Sequence, residues 1–375
     1  MKIEIVEAVT KKQQRDFVEF PLKLYRDCPY FVPPLYGDEM KMFRKDFVYA
    51  DTCEIVHFLA YKDGVLSGRI QGILQKAANE KNHEKRVRFN RFDAVDDPEV
   101  AKALFDAVEN WGRSLHMDTI CGPLGFSDLE REGLLIEGFD RLSTFEEQYN
   151  YEYYGSLIEN LGYQKEVDWN ESLLTPPEDP KDREKLRELS NFIMKRYHLH
   201  LGEAKNVNDF LRRYADGIFE LLDVAYDGLY GTVPFTDGMK KLMIDNFRLI
   251  IDLKHVAAIL DENERIVCFG VCFPSIAEAV RKSQGHLYPA ALVRLLRAIK
   301  KPEVIDLGLV AVSPEFANRG ISSIVSAELL RMLEEPGIRY AETNLNLEEN
   351  YPIQNQWKRF GREIHKRRRA YVKKL

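Results

Sequence analysis

The chain has 375 residues, 45% of them hydrophobic and 30% charged, so apolar material is ample for folding and the length suits two domains of about 150 residues each. Its 54 Lys and Arg against 60 Asp and Glu leave a formal net charge of -6, which argues against a general polyanion binder, and neither nucleic acid nor membrane is expected as a partner. The five cysteines (Cys28, Cys53, Cys121, Cys268 and Cys272) are scattered and odd in number, so neither a disulfide framework nor a metal site is indicated, and the absence of a long uncharged apolar stretch leads us to expect a cytoplasmic protein.

In chain order, residues 1–7 alternate charge and apolarity like an opening strand. Residues 57–61 and 65–70 flank Lys62-Asp63-Gly64, a strong hairpin signal. Leu157 to Leu161 read as a helix that ends before Gly162. Residues 173–180, with three prolines and two acids, are expected to be a linker, followed by a connecting helix from Lys181 to Tyr197 with Leu186, Leu189, Ile193 and Tyr197 at helical spacing. Residues 255–260 and 266–271 then repeat the hairpin pattern, and Gln356 to Phe360 before Gly361 repeat the helix-then-glycine ending. The offsets agree closely, 255 − 57 = 198 and 361 − 162 = 199, which together suggest a duplication, the alternative being two unrelated α/β domains with similar hairpins. The expected division is therefore a first domain over 1–172, a linker and connecting helix over 173–204, and a second domain over 205–375.

In the second half, residues 304–312 are dense in β-branched side chains and read as a buried strand. Ser313-Pro314 breaks it, an amphipathic helix follows from Ser322 to Leu333, and residues 340–345 read as the next strand, which makes the helix a crossover. The junction Asn318-Arg319-Gly320-Ile321-Ser322-Ser323 delivers a strand into a helix N-terminus through a glycine turn. Free amides, the helix dipole, the Arg319 guanidinium and the two hydroxyls suit an anion there.

That strand, its Val-Ser-Pro-Glu-Phe exit and Asn-Arg-Gly-Ile resemble the coenzyme-A-binding motif of the GNAT superfamily of acyltransferases, and Asn350 and Trp357-Lys358-Arg359-Phe360-Gly361 resemble that superfamily's next helix. Residues 1–172 are similar to a more degenerate GNAT domain, through Pro21-Leu22, Leu24-Tyr25, residues 31–35, Gly122-Pro123, residues 133–140, Tyr149-Asn150 and Tyr153-Tyr154; the whole resembles uncharacterised bacterial tandem-GNAT proteins. The resemblance implies an α/β chain of two tandem GNAT-like acyl-CoA N-acyltransferase domains, each a mixed, mostly antiparallel twisted sheet flanked by helices. It implies acetyl-CoA or another acyl-CoA as co-substrate, no metal, and a small-molecule or peptide amine as acceptor.

Under that resemblance the cofactor residues are Val310, Val312, Asn318, Arg319, Gly320, Ile321, Ser322, Ser323 and Asn350. Asp306 and Glu342 are the candidate bases for a nucleophilic amine, and Tyr230 and Phe235, on the loop 226–236, are the expected acceptor-binding residues. Two positions depart from the superfamily. Its loop usually reads Gln/Arg-x-x-Gly-x-Gly/Ala, where this chain has Ala317, Gly320 and Ser322, and Trp357 stands where a thiolate-protonating tyrosine is frequent. A non-catalytic acyl-CoA-binding or sensing protein is the alternative these departures imply. In the first half the corresponding junction, residues 92–99, carries four acids that would repel a pyrophosphate, so that domain is expected to be structural or to shape the substrate site. The run Lys366-Arg367-Arg368-Arg369 is read as a final strand with its basic side chains in solvent.

Overall fold

The computed structural model describes residues 2–375. Its elements are β1 (Ile3–Glu7), α1 (Lys11–Leu24), α2 (Tyr36–Lys41), β2 (Cys53–Lys62), β3 (Val65–Gln75), α3 (Lys76–Asn82), β4 (Arg86–Ala94), α4 (Pro98–Ser114), β5 (Thr119–Gly122), β6 (Leu134–Glu137), α5 (Tyr153–Glu159) and β7 (Gln164–Thr175). They continue as α6 (Pro180–Arg196), β8 (His200–Leu201), α7 (Val207–Tyr226), α8 (Asp237–Ile250), β9 (Val256–Leu260), β10 (Ile266–Pro274), α9 (Ala277–Ser283) and α10 (Pro289–Lys300). The last are β11 (Val304–Val312), α11 (Ser322–Leu333), β12 (Tyr340–Glu342), β13 (Asn346–Leu347), α12 (Tyr351–Trp357) and β14 (Gly361–Lys374).

The chain forms two compact units. One comprises Met1–Asn170, Ala277–Arg294 and Lys366–Leu375; the other comprises Glu171–Ile276 and Leu295–His365. Within the first, the strand order is β1-β2-β3-β4-β5 followed by the end of β14, all antiparallel except β4 and β5. Asp63 and Gly64, with φ of 50° and 82°, make the tight turn that the Asp-Gly pair predicts. Helix α4 packs Val100, Leu104, Phe105 and Val108 on this sheet against Ile70, Val87 and Phe89. Within the second unit the order is β8-β9-β10-β11-β12 and then the end of β7, with β11 and β12 parallel. There α7 packs Phe210, Ile218, Phe219 and Leu222 over β9 to β11, while α11 buries Ile324 against Ile193 of α6.

The structure differs from the sequence reading in three places, the first being the strand expected over 340–345, which ends at Glu342. Leu173 to Thr175 are strand rather than linker. Leu174 is wholly buried and lies opposite Ala341 of β12, and the prolines break the chain only from Pro176 onward, where Asp179 caps α6 and Pro180 takes its first turn. The basic run near the C-terminus is not a solvated face either. Lys366 and Arg368 are buried, and Arg367 and Arg369 reach the carboxylate of Asp168 at 3.1 and 2.8 Å. Alternation along β14 dictates this, because a strand with neighbours on both faces turns every second side chain inward whatever its charge.

Burial opposes ionisation of Asp168, but Arg369 and Lys165 outweigh it and hold the carboxyl below its ordinary range. A depressed carboxylate stabilises the fold above its unfolded pKa and loses that contribution as pH falls through the folded value. Asp168→Ala is expected to lower stability at pH 7 by on the order of 1 kcal/mol, since it takes a buried carboxylate from Arg367, Arg369 and Lys165, whose partial exposure lets water offset part of the loss. Urea unfolding at pH 7 and again near pH 3 checks this, and the gap between variant and wild type should shrink in acid.

Candidate functional site

The parallel pairing of β11 with β12 stops early. Val304, Ile305 and Asp306 face Tyr340, Ala341 and Glu342, and β11 then runs six residues further to Val312 with no parallel partner. Opposite it, β10 pairs with a register shift between Gly270 and Cys272, so the bulge falls at Gly308 and Leu309. Ser313 N–H bonds Val267 carbonyl on β10, so by alternation the main-chain groups of Val310 and Val312 face the other way, into the gap. Two side chains reach that edge. The Tyr226 hydroxyl donates to the Val310 carbonyl at 3.1 Å, and Asn344 Nδ2 lies 3.5 Å from the Gly308 carbonyl.

At the end of β11 one turn of 3-10 helix, Pro314–Phe316, leads to Asn318 and Gly320, both left-handed with φ of 61° and 78°. Glycine is needed at 320 twice over, because a Cβ there would also lie 2.8 Å from Ile193 Cδ1. Helix α11 begins with Ile321 at the N-cap and no side-chain cap. Its first internal bonds run from Ser323 to Gly320 and from Ile324 to Ile321, so among the described residues the amides of Gly320, Ile321 and Ser322 have no acceptor.

The other candidate residues occupy distinct roles. Arg319 is exposed, with its guanidinium over the rings of Phe316 and Tyr197 at 5.3 and 5.7 Å. Ser322 is half-buried at the helix opening. Ser323 is fully buried, and its Oγ accepts from Arg359 Nη1 at 2.7 Å, which commits that hydroxyl to holding α12. Asn350 caps α12 through Ile353 N–H at 3.4 Å. On the loop, Phe235 packs edge-on to Phe219 at 5.3 Å within the core and its N–H reaches Asp223, while Tyr230 is half-buried. Trp357 is buried and donates Nε1–H to Asn346 at 2.7 Å.

Asp306 and Glu342 meet side by side where the strands part, buried to 5% and 6% exposure. Glu342 Oε1 lies 3.1 Å from His365 Nε2 on β14, and both side chains are buried. Neither Arg339 nor Lys358 takes Glu342, for Arg339 pairs with Glu303 and Lys358 with Asn355. Sequence reading did not single out His365. Its signal was weak, one imidazole in a strand of basic residues, and only the register of β14 brings it to Glu342. A groove of about 800 Å³ in this unit is lined by Asn191, Lys195, His200, Arg213 and Tyr214 among others.

The first unit has the same strand, turn and helix with the opening closed. Asp97 caps α4 by accepting from Glu99 and Val100 N–H at 3.0 and 3.4 Å and is itself paired with Lys62. The free edge of β4 is filled by the chain itself: Leu124 N–H bonds the Phe89 carbonyl at 2.9 Å, and the Tyr154 and Tyr153 hydroxyls take the N–H and carbonyl of Ala94 at 3.0 and 2.7 Å. This unit instead holds a buried charge cluster. Arg91, at φ 46°, forks onto Glu39 at 2.8 and 2.9 Å and donates to Gln71 at 2.8 Å, and Gln71 Nε2 lies 2.9 Å from His57 Nε2. Burial works against the Glu39 carboxylate, but Arg91 holds its pKa at about 2. Burial and then Arg91 push His57 down to about 3. Glu130, 3.7 Å from the same guanidinium, goes the other way: burial drives it up to about 7, with Glu39 adding repulsion, because one arginine cannot neutralise both carboxylates.

No family profile matches this chain. Protein YghO of Escherichia coli is 28% identical to it over 379 residues, covering 98% of this chain and 94% of that protein. A bacterial ceramide synthase of Caulobacter vibrioides is 26% identical over 305 residues, covering 80% and 77%. Among solved structures, a tandem GNAT protein from the clavulanic acid biosynthesis pathway superposes with a TM-score of 0.55 at 11% identity, over 100% of this chain and 98% of its own. A fungal GCN5-related glucosamine N-acetyltransferase region of a multi-domain β-N-acetylglucosaminidase gives the same TM-score at 11% identity, over 99% of this chain and 38% of that one.

The Glu130 environment has a testable sign. Its folded pKa lies above the ordinary value of 4.5, so the folded protein holds the extra proton and this group costs stability as pH rises from 4.5 through 7. Glu130→Gln is expected to raise Tm at pH 8 and leave it nearly unchanged at pH 4.5, which calorimetry at the two pH values reads directly.

Proposed function

The chain has the tandem GNAT fold, and on that premise we propose that it is an acyl-CoA-dependent N-acyltransferase whose co-substrate docks in the second unit. The observation that carries this reading is the uncapped opening of α11 beside the parted strand β11, set against the capped and filled counterpart in the first unit. The residues fit the group. Three unclaimed amides and a helix dipole suit a pyrophosphate, with Arg319 and Ser322 at the rim, and the main chain of Val310 and Val312 faces the gap where a pantetheine arm would lie.

An acyl-CoA supplies an activated acyl group as a thioester. The amine adds to its carbonyl, an amide bond forms, the carbon–sulfur bond breaks, and the sulfur leaves as the free thiol with the proton the amine gives up. The chain's share is positioning, a polarising amide from the β11 edge, and a base. Glu342 and Asp306 lie where the strands part, and His365, with Nε2 3.1 Å from Glu342 Oε1, is the group best placed to accept a proton. The Tyr226 bond to Val310 ties the C-terminal end of α7, from which the loop with Tyr230 and Phe235 departs, to the same edge, and on this reading that loop shapes the acceptor pocket.

One relative bears on the choice of acceptor. A ceramide is the amide of a long-chain amino alcohol, so the similarity to a bacterial ceramide synthase favours a lipid-like amine and an acyl chain longer than acetyl over a small polar amine or peptide. A second reading, acyl-CoA binding without turnover, draws on Trp357. Its indole is committed to Asn346 and cannot protonate a thiolate.

Gly320→Asp would confuse charge with backbone strain, so Ser322→Glu is the cleaner probe. It is expected to weaken coenzyme A binding by at least tenfold by calorimetric titration, with Tm unchanged; unaltered affinity removes the proposed pyrophosphate position. His365→Ala and Glu342→Gln are each expected to lower kcat on the order of a hundredfold with a long-chain acyl-CoA and a long-chain amino alcohol. Bound coenzyme A with no thioester consumed across short and long acyl and amine pairs would favour the second reading.

A further inference from the structure

The segment from Ala279 to Pro302 carries no acidic residue and six basic ones, Arg281, Lys282, Arg294, Arg297, Lys300 and Lys301, in a chain whose net charge is -6. It also carries apolar side chains pointing outward. Leu287, Tyr288, Leu292, Val293 and Leu296 are 49%, 45%, 42%, 67% and 53% exposed, five large apolar groups within ten residues. Single exposed apolar residues are ordinary, but a contiguous set marks a surface that something covers.

Helix α10 is built to present them. Ala291 is its one buried residue, and at 100° per residue Leu292, Leu296 and Val293 fall on one stripe with Lys300, while Arg297 lies beside it. Ala291 therefore faces inward with the half-buried Leu295 and Ile299, while Leu292, Val293 and Leu296 form a second apolar stripe that faces outward. Arg281 and Lys282 are held by Glu278 at 2.9 and 3.1 Å, and Arg294 leans on the Tyr288 hydroxyl at 2.7 Å. Arg297, Lys300 and Lys301 have no carboxylate partner among the described residues.

An apolar ridge flanked by unpaired cations narrows what can cover it. Nucleic acid would use the cations and leave the leucines in water. A second copy related by a twofold axis would bring like charges face to face. An anionic bilayer surface satisfies both halves, with leucine and valine entering the acyl boundary, Tyr288 at headgroup depth and the cations on phosphates. Among the described residues no helix is long and apolar enough to cross a membrane, so the contact would be from one side only.

We propose that residues 287–301 form an interfacial anchor that docks this protein on bilayers bearing anionic phospholipid headgroups. This rests on the helix itself and stands whether or not the chain is an acyltransferase. The test is co-sedimentation of the full chain with vesicles of phosphatidylcholine alone or with roughly a third phosphatidylglycerol, with melting curves to establish that each variant is folded. Binding is expected to the charged vesicles only and to weaken with added salt. Arg297→Gln/Lys300→Gln/Lys301→Gln should weaken it on the order of a hundredfold, and Leu292→Ser/Val293→Ser/Leu296→Ser at least as much. Full-length protein that stays in the supernatant, or folded triple variants that sediment like wild type, would overturn the proposal. Retention on DNA that survives the apolar triple would reassign the surface to nucleic acid.

Discussion

The separation of two parallel strands just past Asp306 and Glu342 is the constraint from which the rest of the second unit follows. Parallel strands joined by a crossover helix must put the helix N-terminus near the end of the first strand. Once β12 stops pairing, both the edge of β11 and the first amides of α11 are left with unmet hydrogen-bonding capacity in one neighbourhood. The first unit repeats the geometry and discharges it internally, with Asp97 on the helix and Leu124, Tyr153 and Tyr154 on the strand. The two units therefore share a scaffold and differ in whether the polar groups at its opening have been claimed.

Buried charge is used liberally in the first unit, and for a different purpose. Asp168 receives Arg367 and Arg369, and Arg91 is divided between Glu39 and Glu130. Such groups are costly to remove from water unless each finds a partner, so they tie the register of β14 and the approach of α2 to a narrow set of arrangements. Burial raises both carboxylates at Arg91, but the guanidinium outweighs it at Glu39 and not at Glu130, so the two depart from their ordinary pKa in opposite directions. Perturbed ionisation of that kind is frequent at functional positions, and here it lies in the unit whose helix opening is capped and whose strand edge is filled.

The local elements were legible where local signals were strong. β11 over 304–312 and α11 over 322–333 coincide with the sequence reading, because β-branched density, a Ser-Pro break and an apolar helical stripe all act within a few residues. The Asp63-Gly64 turn likewise needed only its two residues. The roles of site residues were less legible. Ser322 and Ser323 are indistinguishable as adjacent serines, yet one lies at the opening and the other is buried against Arg359. His365 and Tyr226 acquire their significance from partners 23 and 84 residues away. The four basic residues at 366–369 read as a solvated run because composition carries no account of which face a strand turns inward.

The sequence by itself determined the mixed strands and helices of an α/β chain, since period, turn chemistry and helix boundaries are short-range properties that the backbone obeys almost regardless of context, while the tandem GNAT order of elements came from the resemblance of its motifs. Tertiary structure alone decided that Ala277–Arg294 and Lys366–Leu375 belong with the first unit, that β4 is plugged while β11 is open, and which carboxylate meets which cation. Those outcomes depend on strand register and on burial, and both are settled by contacts between residues far apart in the chain, where no local preference discriminates among the alternatives.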